Sequence, residues 1–190
     1  MSDLTDRLNE ILPKVTSDDF LHGKGIGNEI AFYIFDYLPE DELAVREHVQ
    51  FLLKRIPQEK PGTRVKHVDL LDFVVDHLRQ RNLLDKTFVL QKQKGDAFLR
   101  KEMEKILHPN KLIAAFADYA HPDQHDLVLV SGVGSVYPFL RAHTLLNNLQ
   151  PVMGKTPLVL FYPGKYDRKS LKPFNRLNSD NYYRAFKLVT

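Results

Sequence analysis

Asp126-Leu127-Val128-Leu129-Val130-Ser131-Gly132-Val133-Gly134-Ser135 opens the stretch that decides the fold, which continues to residue 164. Leu127-Val128-Leu129-Val130 is continuously apolar. Such a run suits a strand covered on both faces, as in a parallel sheet. Ser131-Gly132-Val133-Gly134-Ser135 then supplies a turn that reaches backbone conformations closed to bulkier residues. Pro138 falls where a first helical residue is expected, and Leu140, Leu145, Leu146 and Leu149 give the next segment an apolar face at helical spacing. Pro151, Gly154 and Pro157 punctuate the way to a second apolar run, Leu158-Val159-Leu160-Phe161, closed by Tyr162-Pro163-Gly164. The pattern predicts a βαβ crossover with parallel strands.

Upstream, Ile30-Ala31-Phe32-Tyr33-Ile34-Phe35 predicts a first core strand ending at Asp36-Tyr37. Sites in α/β proteins collect at the carboxyl ends of strands, so Asp36 either caps the turn through Pro39 or holds a cation or a substrate hydroxyl. Pro39-Glu40-Asp41-Glu42 opens a helix with acids at its positive end. Its buried face is expected to carry Leu43, Val49, Leu52, Leu53 and Ile56, and Pro57 is expected to stop it. Val65-Lys66-His67-Val68-Asp69-Leu70 predicts a second strand. A helix over 71–82 follows, with Leu71, Val74, Val75 and Leu78 inward and His77 solvated. Residues 83–120 are long for one crossover and predict at least two helices. One carries Phe98, Leu99, Met103, Ile106 and Leu107 as a stripe, and another restarts at Pro109 with Leu112, Ile113 and Phe116.

At the ends of the chain, Leu4, Leu8, Ile11 and Leu12 mark a short amphipathic helix, capped by Ser2 or Asp3 and ended by Pro13. Residues 182–189 read as a last strand, at an edge or antiparallel to the rest. The expected architecture is a single α/β domain over 1–190, with an N-terminal helix and loop over 1–25 and a core over 26–190. It is a three-layer α/β/α, Rossmann-like fold with a mostly parallel sheet of four or five strands. A flavodoxin-like strand order is one possibility.

The totals narrow the function classes. A chain of 190 residues buries roughly 70% of its unfolded surface and needs no covalent staples. There is no cysteine, which excludes disulfides, thiolate metal sites and a cysteine nucleophile and fits a reducing compartment. No apolar run approaches the ~18 residues of a membrane span. Met1-Ser2-Asp3-Leu4-Thr5-Asp6-Arg7 lacks the apolar core of a signal peptide. The expected location is the cytoplasm, with no membrane contact. The net charge is +3 and the pI about 9.0, with bases clustered over 92–105 and 165–172. These clusters either attract nucleic acid or an acidic partner weakly, or are solvated faces on which acids interleave the bases.

Among candidate sites, Gly132, Gly134, Ser135 and Arg141 form a candidate anion cradle, because free backbone N–H groups gather where a strand turns into a helix. Tyr137 stands where the third glycine of a dinucleotide fingerprint belongs, and no phosphate-loop lysine follows. Arg141 can meet a carboxylate or phosphate bidentately, or pair internally with Asp36 or Glu29. His22-Gly23-Lys24-Gly25-Ile26-Gly27 precedes a strand instead of following one, so it reads as an entry turn or a partner-contact loop. His121, Asp123 and His125 share one loop without the rigid spacing of a zinc site, so no metal is expected. Ser131 and Ser135 lack a Gly-x-Ser-x-Gly context. No catalytic residue and no cofactor emerge.

Four blocks carry a family resemblance: residues 27–37, residues 131–150 (Ser131-Gly132-Val133-Gly134-Ser135-Val136-Tyr137-Pro138 and onward), Leu158-Val159-Leu160-Phe161-Tyr162-Pro163-Gly164-Lys165-Tyr166, and Asn181-Tyr182-Tyr183-Arg184-Ala185-Phe186. Together they resemble the BrxB family, the small component of bacterial BREX phage-defence systems. The resemblance implies membership of an apparatus with a methyltransferase, a large ATPase and PglZ, an alkaline-phosphatase-superfamily protein. It carries over no catalytic residues. It implies a non-catalytic adaptor that binds another BREX component, PglZ first. Exposed aromatic and Arg side chains would anchor such an interface, with Tyr137, Tyr162, Tyr166 and Arg168 as candidates beside Tyr33, Tyr37, Tyr182 and Tyr183. Two alternatives stand beside it. One is a degenerate nucleotide- or phosphate-binding domain using the glycine turn. The other is an accessory subunit touching DNA through Lys165, Arg168, Lys169 and Lys172.

Overall fold

A computed structural model describes residues 4–22, 31–168, 170–174 and 185–189. The glycine-rich loop over 23–30, the cap at Ser2 or Asp3, Glu29, Lys169, Tyr182 and Tyr183 lie outside the described residues.

The central crossover forms as its sequence predicts. Strand β3 (Leu127–Ser131) and strand β4 (Leu158–Tyr166) are adjacent and parallel, with Val128 opposite Leu158 and Val130 opposite Leu160. Strand β1 (Phe32–Tyr37) lies parallel on the other side of β4, and strand β2 (Val65–Asp69) lies parallel to β3. Strand β6 (Phe186–Lys187) pairs in parallel with β1 at the edge. Strand β5 (Leu171–Pro173) turns back antiparallel onto the far end of β4. The order is β2-β3-β4-β1-β6, with β5 attached to β4. The sheet thus has six strands, because residues 171–173 return along the overhanging end of β4. A flavodoxin-like order would place β1 between β2 and β3, and that order is not formed.

Alternation along each strand explains the unbroken apolar runs. Leu127, Leu129, Tyr33, Phe35, Val159 and Phe161 face one layer, and Val128, Val130, Phe32, Ile34, Leu158 and Leu160 face the other. The first layer holds helices α1 (Leu4–Asn9), α2 (Ile11–Val15), α3 (Asp18–Leu21) and α4 (Glu42–Glu59). The second holds α5 (Leu70–Gln80), α8 (Pro109–Ala120), the single turn α9 (Val133–Val136) and α10 (Ala142–Met153). Helices α6 (Leu84–Lys94) and α7 (Asp96–Ile106) form a hairpin between α5 and α8, so the 83–120 stretch holds three helices.

Prolines behave differently from their local reading. Pro138 does not start α10. Tyr137 before it is extended (φ −68°, ψ 138°), the conformation a following proline imposes, and this ends α9 instead. Pro13 lies in the first turn of α2, where its missing N–H costs no helical bond. Pro57 and Pro151 lie inside the last turns of α4 and α10, which run on to Glu59 and Met153. Two helix starts also differ from expectation, although Val49, Leu52, Ile56, Val74 and Leu78 are buried as their spacing predicts. Leu43 and Leu71 are exposed, while Val45 and Phe73 take their places in the core. Phe98 faces solvent as well. His77 is half-buried rather than solvated, and its buried Nε2 has no hydrogen-bond partner.

Candidate functional site

At the carboxyl edge of the sheet, β1 delivers Asp36 and Tyr37, β2 Asp69 and β3 Ser131, while β4 overhangs with Tyr162-Pro163-Gly164. Asp69 is the N-cap of α5: its Oδ1 accepts from the Leu71 N–H at 2.8 Å and the Asp72 N–H at 3.3 Å. The Ser131 hydroxyl donates to Asp69 Oδ2 at 3.4 Å and lies 2.8 Å from His67 Nε2. The set resembles a Ser-His-Asp constellation in composition only. The carboxylate contacts the serine, not the histidine, and Ser131 is buried beneath the turn.

The glycine turn is packed against its own chain. Gly132 adopts φ +75°, and a Cβ there would stand 2.7 Å from Asp69 Oδ1. A Cβ on Gly134 would stand 3.3 Å from Pro163 and 3.5 Å from Phe174. The position where an anion would rest therefore faces an aspartate carboxylate. Ser135 is exposed, and its hydroxyl accepts from Arg46 Nη2 at 3.1 Å. Arg46 Nε in turn donates to Glu42 Oε1 at 3.0 Å, and the Tyr37 hydroxyl donates to Glu42 Oε2 at 2.6 Å. Burial, then the Glu42 bond, pushes the Tyr37 phenol far above its ordinary range.

Arg141 sits exposed at the N-cap of α10 and forms no ion pair with a described residue. Its expected partner Asp36 is engaged elsewhere. Asp36 Oδ1 accepts from Arg7 Nη2 at 2.8 Å and lies 3.3 Å from Lys187 Nζ, and Oδ2 accepts from the Tyr166 N–H at 3.0 Å. Asp36 therefore neither caps the Pro39 turn nor stands open to a cation; that turn is entered through Leu38 without a side-chain cap.

Of the four interface candidates, Tyr162 and Tyr166 are core residues. Even spacing along β4 keeps both on the face of Leu158 and Leu160, and the Tyr166 hydroxyl donates to the Ala185 carbonyl at 2.6 Å. Burial and the neighbouring Tyr137 push the Tyr162 phenol upward. Tyr33 and Tyr37 are buried too. Tyr137 is half-buried, edge-on to Phe174 with centroids 5.4 Å apart. Arg168 and Lys165 are exposed, while Lys172 lies 3.8 Å from Asp167.

Among the described residues, no three His, Asp or Glu side chains gather as a metal site requires. Cavities of about 430 and 300 Å³ open away from the carboxyl edge. The larger touches Lys60, His125 and Lys155, and the smaller lies between α5 and α8 beside His77 and Arg81. No described helix is long and apolar enough to cross a membrane. The sequence reading did not single out the exposed apolar side chains Leu38, Leu43, Leu71, Phe88 and Val89 as a surface. Helical phase could have flagged Val89, whose neighbours three and four positions away, Asp85, Lys86, Lys92 and Gln93, are all polar.

Burial holds His48, His67, His77 and His143 below the ordinary histidine value of about 6.5. Depressed folded values mean that the unfolded chain binds protons first as pH falls. The stabilisation is complete above about 6.5 and is lost below it. The urea midpoint is expected to fall between pH 7.5 and pH 5.5, and His67→Gln to flatten that fall. An identical fall in the variant would exclude His67 as a contributor.

The architecture defines a Rossmann-like, three-layer α/β protein with a parallel sheet whose carboxyl edge is occupied by its own side chains. The family model described as BREX protein BrxB matches residues 66–188. A BREX protein BrxB of Bacillus cereus (strain H3081.97) is 39% identical over 193 residues, covering 100% of this chain and 99% of its own. Another, of Escherichia coli O9:H4 (strain HS), is 36% identical over 183 residues, covering 96% and 90%. The chain belongs to the BrxB family of BREX proteins. No solved structure matches it.

Proposed function

We propose that this protein is a non-catalytic adaptor of a cytoplasmic BREX phage-defence complex, acting as one unit over residues 1–190. It docks onto another BREX component, with a PglZ-like protein of the alkaline-phosphatase superfamily as the first candidate. The observation that carries this reading is the state of the carboxyl edge. Where an α/β enzyme leaves room for substrate, Asp69 lies against Gly132, Ser131 is buried and Asp36 is engaged by three donors. Tyr137 and Arg168 remain as surface candidates for contact.

The phosphate-binding alternative keeps one argument, the exposed Arg141 that forms no ion pair with a described residue, and it meets the Asp69 carboxylate at the turn of Gly132, Gly134 and Ser135. The DNA-contact alternative keeps Lys165 and Arg168, with Lys172 offset by Asp167. The adaptor reading is tested by co-expression with the other BREX proteins and size-exclusion chromatography at micromolar concentration. Co-elution with a PglZ-like protein is expected. Failure to co-elute with any BREX protein would overturn the reading.

A further inference from the structure

The hairpin α6–α7 packs on the core through Leu84, Leu99, Met103 and Ile106 and turns Phe88, Val89 and Phe98 outward. Helix α6 has 11 residues and none is buried; α7 buries only Met103. Helices this short are marginal in water unless an apolar face is packed away. Yet Phe88 is 54% exposed, Val89 52% and Phe98 41%. These are three of the eight large apolar side chains left exposed among the described residues, and they concentrate on two short helices.

Lysines surround them. Lys92 follows Val89 by three positions and Phe88 by four, so it shares their face of α6. Lys101 follows Phe98 by three, and Lys94 Nζ lies 5.6 Å from the Phe98 ring centroid. The acids on α7 are largely engaged within the hairpin: Glu104 with Arg100 at 3.6 Å, Glu102 with Lys105 at 2.6 Å, and Asp96 with Gln91 at 2.9 Å. Lys86, Lys92, Lys94 and Lys101 form no ion pair with a described residue and outnumber the one acid beside them on α6, Asp85, so the surface around the apolar side chains is net cationic.

We infer that the α6–α7 hairpin is a docking surface for an acidic protein segment, one that sets carboxylates around two or three apolar side chains. Carboxylates would meet Lys86, Lys92, Lys94 and Lys101 while the apolar groups cover Phe88, Val89 and Phe98. Charge complementarity selects this occupant. A strand of nucleic acid would need successive open rings to stack on, and with Lys94 over Phe98 only Phe88 offers one here. A bilayer would meet Asp85 between the lysines, with only three apolar side chains to insert. The inference rests on the adaptor reading and assigns its surface. The residues of this surface are other than Tyr137 and Arg168.

The test uses the full chain and each of the other BREX proteins, purified singly, with affinity measured by calorimetry at low and moderate salt. Lys92→Glu/Lys101→Glu and Phe88→Ser alter only exposed side chains, and circular dichroism checks their fold. Each variant is expected to weaken binding to one BREX protein at least tenfold, and added salt to weaken the wild type. Binding of a BREX protein that both variants retain would overturn the hairpin assignment and leave the adaptor reading intact. Binding by no BREX protein would overturn both. Loss, in the same variants, of binding to duplex DNA or to phosphatidylserine vesicles, with BREX binding unchanged, would overturn the acidic-protein assignment.

Discussion

Asp36→Ala is expected to lower the free energy of unfolding by about 3–5 kcal/mol, the cost of removing one partner from a buried ion pair. Asp36 is 6% exposed at the end of the central strand β1, and three separate parts of the chain converge on it. Arg7 arrives from α1 and also donates to the Asp36 main-chain carbonyl at 2.7 Å. Lys187 arrives from β6, and the Tyr166 N–H comes from the overhang of β4. Alanine would leave two cations facing each other without their shared carboxylate, and a buried N–H without an acceptor. Asp36→Asn keeps the shape and one acceptor oxygen but not the charge, so it should fall between alanine and wild type. Urea denaturation followed by circular dichroism reads both. An alanine variant within about 1 kcal/mol of wild type would show that the carboxylate is not the tie it resembles.

Gly132→Ala is expected to cost about 1.5–4 kcal/mol, from two independent sources. A residue with a Cβ adopts φ +75° only at a cost of roughly 1–2 kcal/mol. The added methyl group would also stand 2.7 Å from Asp69 Oδ1 and displace the carboxylate that caps α5, and losing such a cap costs about 0.5–2 kcal/mol. The two sources separate in a double-mutant cycle with Asp69→Ala. Once the cap is gone, Gly132→Ala should cost only the backbone share. Strict additivity of the two substitutions would mean that the close approach has no energetic consequence.

The fold was legible where burial on both faces leaves a local trace. The runs Leu127-Val128-Leu129-Val130 and Leu158-Val159-Leu160-Phe161 needed no distant information to be read as parallel strands. Strand order depends on which distant segments meet, and nothing within 30–37 says that β1 pairs with β4 instead of β2. The prolines misled because their local rule was applied without the packed stripe that carries α4 and α10 past Pro57 and Pro151. Leu43 and Leu71 were misplaced because each lies at a helix start, where one residue of offset turns a side chain from core to solvent.

The candidate site was legible in location and not in content. The glycine turn pointed to the carboxyl edge, but its most important neighbour, Asp69, is 62 residues from Ser131 in the chain and entered the sequence reading only as the end of a strand. Arg7 meets Asp36 across 29 residues from a helix that the sequence did not place beside the carboxyl edge, so Arg141, expected at that edge, stood as its partner. Tyr162 and Tyr166 carry the residue type of an interface, but the pleat of β4 turns them inward.

The place of β4 in the sheet has a consequence for biosynthesis. β1 is made early, and its two partners, β4 and β6, both come more than a hundred residues later. At bacterial elongation rates an aromatic strand must therefore wait on the order of ten seconds without a strand partner. The growing polypeptide can assemble β2, β3 and the helices over them beforehand, but the two halves are joined only when the ribosome releases the segment that lies between them.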